Sequence, residues 1–216
     1  ARSIVAVGSE LGLKVRALIT DMCQPLGKAV GHTLEVLECI DVMNGKGPED
    51  LKAVTIELAA HMLILGKKTT SLPTARKMAG LTLTDGSALK KFQEMCRAQG
   101  AHADITSNPA LLKVSAHTVE VPAPKTGYLK AIDTRALGMA LVELGGGRKK
   151  TTDLIDFSVG YICKARLGDK LNKGDTLLTV HYNPAVKPAD VLTKIQLAYE
   201  ITSKKFRAPK LIRKVI

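Results

Sequence analysis

The sequence predicts an α/β protein in two parts: the C-terminal portion of a parallel-sheet α/β domain over residues 1–112, then a smaller α+β domain over residues 113–216. Three observations carry this. The chain opens on an apolar-periodic helix, passes a glycine and enters a β-rich run, the α-to-β step of a parallel sheet covered by helices. From there to about residue 112 the apolar spacing is mostly helical. Near Lys113 it changes to alternating stretches separated by turn clusters, so the boundary falls between residues 108 and 118.

Taken in order, Ile4, Val5, Val7 and Leu11 mark a helix to about Gly12, and residues 14–20 read as a strand. Residues 21–31, with Pro25, Gly27 and Gly31, form a loop. Leu34, Val36, Leu37, Ile40 and Met43 recur at helical spacing, and Asn44-Gly45-Lys46-Gly47-Pro48 stops that helix. Pro48, Glu49 and Asp50 open another, with Leu51, Val54, Leu58, Met62 and Leu65 on one face and Gly66 after it. Residues 74–80 and 87–99 predict two shorter helices. Residues 114–121 alternate, residues 122–127 make a turn, and 128–132 return as the second strand of a hairpin. Asp133 or Thr134 caps a helix over 136–144 that Gly145-Gly146-Gly147 ends. Residues 155–165 and 176–182 are strand-like, Pro188 suits the first turn of a helix reaching about residue 202, and 206–216 supply a last strand.

Composition narrows the class. The chain has 216 residues, 45% apolar and 24% charged, which excludes disorder. No apolar run nears the roughly 18–20 residues of a membrane span. Cys23, Cys39, Cys96 and Cys163 form no CxxC pair, so neither a zinc site nor a disulfide framework is indicated, and a soluble cytoplasmic protein is expected. The first residues lack the segments of a signal peptide and an initiating Met, and the opening helix lacks a cap; a piece of a longer chain is expected. Lys and Arg number 32 against 20 Asp and Glu, a net charge of +12. That balance raises nucleic acid as a partner. The cations are scattered, however, and only four Tyr and three Phe are present to stack bases. A solvated surface is the better reading, and a positive field also suits phosphate-bearing small ligands.

Two stretches could carry chemistry. Gly145-Gly146-Gly147-Arg148-Lys149-Lys150 offers unhindered amides beside three cations, an arrangement that cradles phosphate. The glycines follow a helix, though, where the dipole is negative, and match neither a Walker A nor a dinucleotide pattern. A C-cap with a mobile loop, able to act as a lid, is therefore favoured over a rigid anion site. In the second stretch, loop 21–31 frees carbonyls that a hard cation could use. With a helix starting near Thr33, Glu38 lies roughly 7–8 Å along its axis, within reach of a loop folding back. On chemistry alone Glu38 reads first as a solvated, dipole-matched charge. His32, His61, His102, His117 and His181 show no metal-binding spacing, GxSxG is absent, and no acid–base pair stands out.

One set of motifs spans the chain. Residues 18–27 (LITDMCQPLG), Val30-Gly31-His32, Leu34-Glu35-Val36, Gly45-Lys46-Gly47-Pro48-Glu49-Asp50-Leu51, Gly86-Ser87-Ala88 with Phe92, and Ala98-Gln99-Gly100 come first. Gly127-Tyr128, Asp133-Thr134-Arg135-Ala136-Leu137-Gly138, Gly145 to Arg148, Ile155-Asp156 with Val159-Gly160, and Leu167-Gly168-Asp169 follow. In this order the sequence resembles the thymidine and pyrimidine-nucleoside phosphorylases, with Cys23 where many members have Asn or Ser. The resemblance implies a pentosyltransferase. It would cleave thymidine or another pyrimidine nucleoside with inorganic phosphate, giving free base and (deoxy)ribose 1-phosphate. It implies an α-helical domain through which the enzyme forms a homodimer, and an α/β domain with an α+β C-terminal portion. The family's phosphate loop and base-gripping His, Arg, Ser and Lys precede the stretch matched by Ala1. The chain is thus expected to hold no catalytic residue and to be inactive alone. The carbonyls of Leu26 and Ala29 with the Glu38 carboxylate match a monovalent-cation (K⁺) site. Gly145, Gly146, Gly147 and Arg148 match a loop that orders when the enzyme closes on its substrate. A rival reading, of another class, is a non-catalytic binding module built on the C-terminal α+β part. That part resembles the hammerhead domains of biotinyl and lipoyl carriers but lacks their swinging-lysine turn. Nucleic-acid binding ranks third.

Overall fold

A computed structural model describes residues 1–186 and 188–216. In chain order the elements are α1 (Arg2–Glu10), β1 (Leu18–Thr20), β2 (Ala29–Val30), α2 (His32–Met43), α3 (Glu49–Leu65), α4 (Leu72–Thr82) and α5 (Ser87–Ala98). There follow β3 (Thr118–Pro122), β4 (Gly127–Ile132), α6 (Thr134–Leu141), β5 (Gly160–Cys163), β6 (Lys170–Leu171), β7 (Thr176–His181), α7 (Ala189–Leu197), β8 (Tyr199–Thr202) and β9 (Ile212–Val215). The chain divides into two compact units, each discontinuous in sequence. One holds Ala1–Asp21, Ile40–Thr106 and Pro209–Ile216, and the other Met22–Cys39 and Ser107–Ala208.

In the first unit α3 packs on α4. Ser71 caps α4 by accepting a hydrogen bond from the Thr74 N–H, and Pro73 occupies its first turn. The buried side of α3 is not the apolar stripe that the spacing predicts. Met62 is 70% exposed and Leu58 45%, while Val54, Glu57, Ala60 and His61 turn inward. Two polar residues are tolerated there because they are paired: Arg76 grips both carboxylate oxygens of Glu57 at 2.6 and 2.8 Å, and Arg16 lies 2.7 Å from Nδ1 of His61. The small Ala60, Ala75 and Ala79 are buried across α3 and α4.

The parallel sheet expected here is not found: every strand pairing among the described residues is antiparallel. A parallel pair needs two strands joined by a crossover, and after β1 this unit contributes only helices up to Thr106. The three-residue β1 instead takes the returning tail as its partner, with Leu18 opposite Val215, Ile19 opposite Lys214 and Thr20 opposite Ile212. The last strand expected over 206–216 thus occupies only 212–215.

The second unit contains two antiparallel sheets, β2-β5-β7-β3 and β6-β4-β8, with α6 and α7 beside them. Val121, Leu129, Leu137, Leu144, Val159, Tyr161, Leu177, Leu178, Val180 and Ile195 form its core. The expected hairpin is absent. β3 pairs with β7 whereas β4 pairs with β6 and β8, so the Pro122-Ala123-Pro124 segment carries the chain from one sheet to the other. The helix after Pro188 stops at Leu197, because Tyr199 and Ile201 bury alternately with exposed Glu200 and form a strand against β4. Strand 155–165 shrinks to 160–163. Among the described residues no helix is long and apolar enough to cross a membrane.

Candidate functional site

The sequence-predicted residues gather in the second unit around β2 and the start of α2. Cys163 donates its N–H to the Lys28 carbonyl at 2.7 Å, and the register sets Ala29 opposite Ile162. Ala29 therefore occupies a position whose amide and carbonyl face away from β5. Its N–H donates to Oε1 of Glu38 at 3.0 Å, and the Lys28 N–H donates to the same oxygen at 2.8 Å. Glu38 does meet the loop, as its distance along the helix allows. Gly27 makes this contact possible: its φ is +72°, and a Cβ there would lie 2.2 Å from Oε2 of Glu38.

The far side of the loop is held by a residue the sequence reading did not single out. Nη1 of Arg166 donates to the carbonyls of Pro25, at 2.9 Å, and Gly27. The Leu167 N–H donates to Oε1 of Gln24 at 3.0 Å, and Asp169 accepts from the Arg166 N–H at 2.8 Å. Leu167-Gly168-Asp169, one of the motifs above, is thus the turn that aims Arg166. The available signal was position: Arg166 immediately precedes that motif. Leu26 is 41% exposed beside these contacts. The carbonyls of Pro25 and Gly27 serve a guanidinium, and Oε1 of Glu38 serves two amides. Among the described residues no cluster of three His, Cys, Asp or Glu side chains is arranged to hold a metal.

Local charges register in the cysteines. Burial pushes the Cys163 thiol up to about 11; Arg166 and the neighbouring Tyr199 hydroxyl oppose the rise, and Glu38 adds to it. Burial, then Glu38 and Glu35, also raise Cys39.

The glycine-rich stretch does not hang free. α6, capped by the Asp133 carboxylate on the Ala136 N–H, runs on into a widened turn over Val142–Gly146. Gly145 has φ +96° and its carbonyl accepts the Asp156 N–H at 2.9 Å. The Gly146 carbonyl lies 2.8 Å from Nε2 of His32, whose ring meets Phe157 edge-on at 5.1 Å. Gly146 is buried, and a Cβ would collide with Leu141. Only from Arg148 onward is the segment exposed. Oδ2 of Asp153 accepts the N–H groups of Lys149 and Lys150 at 2.9 and 2.8 Å, so those amides are already engaged. His32, Asp153 and Asp156 complete the site; His32 was visible only as part of the Val30-Gly31-His32 motif. The structure thus brings loop 24–29 to Glu38 and Arg166, and brings the glycine turn to His32.

A kinked loop is thus laced to a carboxylate and a guanidinium, and a pinned glycine turn ends in three exposed cations. Comparison with known proteins gives the family. Residues 128–202 match the family described as pyrimidine nucleoside phosphorylase C-terminal domain. The whole chain is 36% identical over 216 residues to the pyrimidine-nucleoside phosphorylase of Staphylococcus haemolyticus, covering 49% of that protein. It is 37% identical over 212 residues to that of Geobacillus stearothermophilus, covering 98% of this chain and 49% of the relative. With that of Bacillus subtilis the identity is 36% over all of this chain and 49% of the relative. The chain belongs to the pyrimidine nucleoside phosphorylase family, and it spans about half the length of the curated relatives it matches.

Proposed function

We propose that this chain is the C-terminal half of a phosphorylase that cleaves thymidine or another pyrimidine nucleoside with inorganic phosphate. The products are the free base and (deoxy)ribose 1-phosphate, and the 216 residues alone do not turn over. The observation that supports this most is the alignment of the entire chain to about half of each relative. In this reading β1 and α1 belong to a larger α/β domain whose parallel strands lie in the other half, with residues 1–112 on that side and 113–216 forming the α+β domain. The other half also supplies the residues that hold phosphate and base, and the helical domain of a cytoplasmic homodimer.

The chain's own contribution is positioning and charge. Gly145, Gly146, Gly147 and Arg148 form the loop that orders over bound substrate, with Arg148, Lys149 and Lys150 presenting positive charge to an anionic transition state. Leu26, Ala29 and Glu38 form a seat for positive charge under the neighbouring loop. The test is phosphorolysis followed by chromatography, with thymidine, uridine and deoxyuridine as substrates. The product of the complete reading frame should release base only with phosphate, and this 216-residue chain should release none. Turnover by the chain alone would overturn its inactivity. A complete protein that leaves all three nucleosides intact would overturn the activity itself.

A further inference from the structure

We infer that one end of the β6-β4-β8 sheet is a docking surface for single-stranded nucleic acid, with six cations gathered around Tyr128. The inference is independent of the proposed activity and uses none of the residues assigned to it.

Cations that lie scattered along the sequence are brought together by strand register. Lys170 and Thr202 flank Tyr128 from its two sides, so exposed Lys170, half-buried Tyr128 and half-buried Thr202 form a row across three strands. Cross-strand partners share a face, and at the usual strand spacing the row spans roughly 10 Å. Two connections project just beyond it, at the same end of the sheet. The Lys173 N–H donates to Oγ1 of Thr126 at 3.0 Å, which brings Lys173 beside Lys125. The Lys204 N–H donates to Oγ1 of Thr202 at 3.3 Å, and Lys205 follows. The chain then returns to the turn before β6, where a Cβ on Gly168 would lie 3.3 Å from the Phe206 carbonyl; Arg207 comes next. Lys125, Lys170, Lys173, Lys204, Lys205 and Arg207 are all exposed, and all belong to the second unit.

This charge is not compensated. Among the described residues none of the six is held in an ion pair. The carboxylates at that end are engaged elsewhere: Asp169 accepts the Arg166 N–H at 2.8 Å, Asp175 the Asn172 N–H at 2.7 Å, and Glu200 pairs with Lys130 at 2.6 Å. A surface kept only for solubility interleaves the two signs, whereas a single-sign cluster creates a field that draws in polyanions. Tyr128 decides the class of polyanion. An aromatic ring amid cations lets a base stack while neighbouring phosphates are neutralised, the arrangement by which single strands are held without sequence preference. The six cations sit on strands and connecting segments, so they present no amphipathic helix to a lipid surface.

The test uses this chain and the fluorescence anisotropy of a labelled oligothymidine of about 20 nucleotides, in potassium chloride from about 50 to 200 mM. Wild type should bind at the micromolar level in the lowest salt. Its log K should fall against log salt with a slope of about −3.5, the size expected when five of the six cations meet phosphates. Lys204→Glu/Lys205→Glu should weaken binding at least about tenfold and flatten the slope by about 1.4, and Lys170→Gln/Lys173→Gln should flatten it as much. Tyr128→Leu should lose at least about fivefold in affinity at an unchanged slope, because stacking is not screened by salt. Lys77→Glu/Lys90→Glu, a matched charge change on exposed positions of the first unit, should bind like wild type. No binding in the lowest salt, or equal weakening by this control pair, would overturn the inference. So would tighter binding of a duplex of the same length, a Tyr128→Leu variant that binds like wild type, or capture by phosphatidylserine vesicles with no oligothymidine bound. Thermal melts establish that each variant is folded; should one fail, the wild-type salt slope and the duplex comparison decide. None of these readings involves turnover, so a failure of nucleoside phosphorolysis leaves them independent.

Discussion

Nε2 of His32 lies 2.8 Å from the carbonyl of Gly146, joining the first turn of α2 to the widened turn after α6 across 114 residues of sequence. Since a carbonyl only accepts, the ring must donate, so Nε2 carries the proton.

That contact predicts a proteolysis phenotype. His32→Ala should loosen the turn by about 1 kcal/mol, the usual net worth of a hydrogen bond. Tryptic cleavage after Arg148, Lys149 or Lys150 should then be roughly fivefold faster at limiting protease, while His32→Gln keeps a donor and stays near wild type. Equal cleavage rates in His32→Ala and wild type would show that the contact does not restrain the turn.

Gly27→Ala should be more damaging than an ordinary glycine substitution. Gly27 and Gly174 share left-handed backbones, at φ +72° and +96°, but a Cβ at Gly174 meets nothing whereas one at Gly27 strikes Glu38. Each should lose about 1–2 kcal/mol from backbone strain. Only Gly27→Ala should lose more, read as a lower urea midpoint than Gly174→Ala. Matching midpoints would mean that Glu38 moves away freely.

Glu57 gives a pH signature. The Arg76 hydrogen bonds, more than any other cause, hold its carboxyl below the ordinary 4.5. A carboxyl lowered on folding stabilises above its unfolded pKa, and that stabilisation is lost as pH falls through the folded value. Glu57→Gln should therefore destabilise by about 2 kcal/mol at pH 7. The gap to wild type should close as both are titrated below pH 4.5, with urea denaturation at pH 7 and pH 3 making the comparison. A gap that does not change with pH would mean that packing, not charge, is what Glu57 provides.

The four thiols should react in a definite order. Cys23 is exposed, whereas Cys163 is buried and pushed up to about 11. With Ellman's reagent at pH 8, Cys23 should react first and Cys163 only after unfolding. Mass mapping of the modified chain checks the order, and early labelling of Cys163 would contradict the buried placement.

What the sequence disclosed follows from how local each signal is. The stops after Met43 and Leu65, and the Asp133 cap, are written in adjacent residues, and the helices end where those residues say. Helix rise put Glu38 within reach of the loop, but chemistry alone favoured a solvated charge, and the amides of Lys28 and Ala29 that it accepts from became visible only in the fold. Strand pairing is not local: nothing near Thr118 says that β7, not β4, will be its neighbour. Tyr199 and Ile201 kept an apolar spacing that suited a helix until β4 was there to pair with them. Arg166 meets the loop across 139 residues, so its partners became visible only in three dimensions. The buried side of α3 escaped for another reason: Glu57 is polar until Arg76, on a different helix, neutralises it.

The pairing of β1 with β9 sets an order of events during synthesis. Leu18 leaves the ribosome long before its partner Val215 is made. The second unit, apart from its 22–39 segment contributed in advance, is finished at Ala208, before the first unit can close. The nascent first unit must therefore hold an open strand edge while its neighbour matures. A stop codon just before Ile212 would leave that edge permanently bare, turning a folding intermediate into a seed for aggregation.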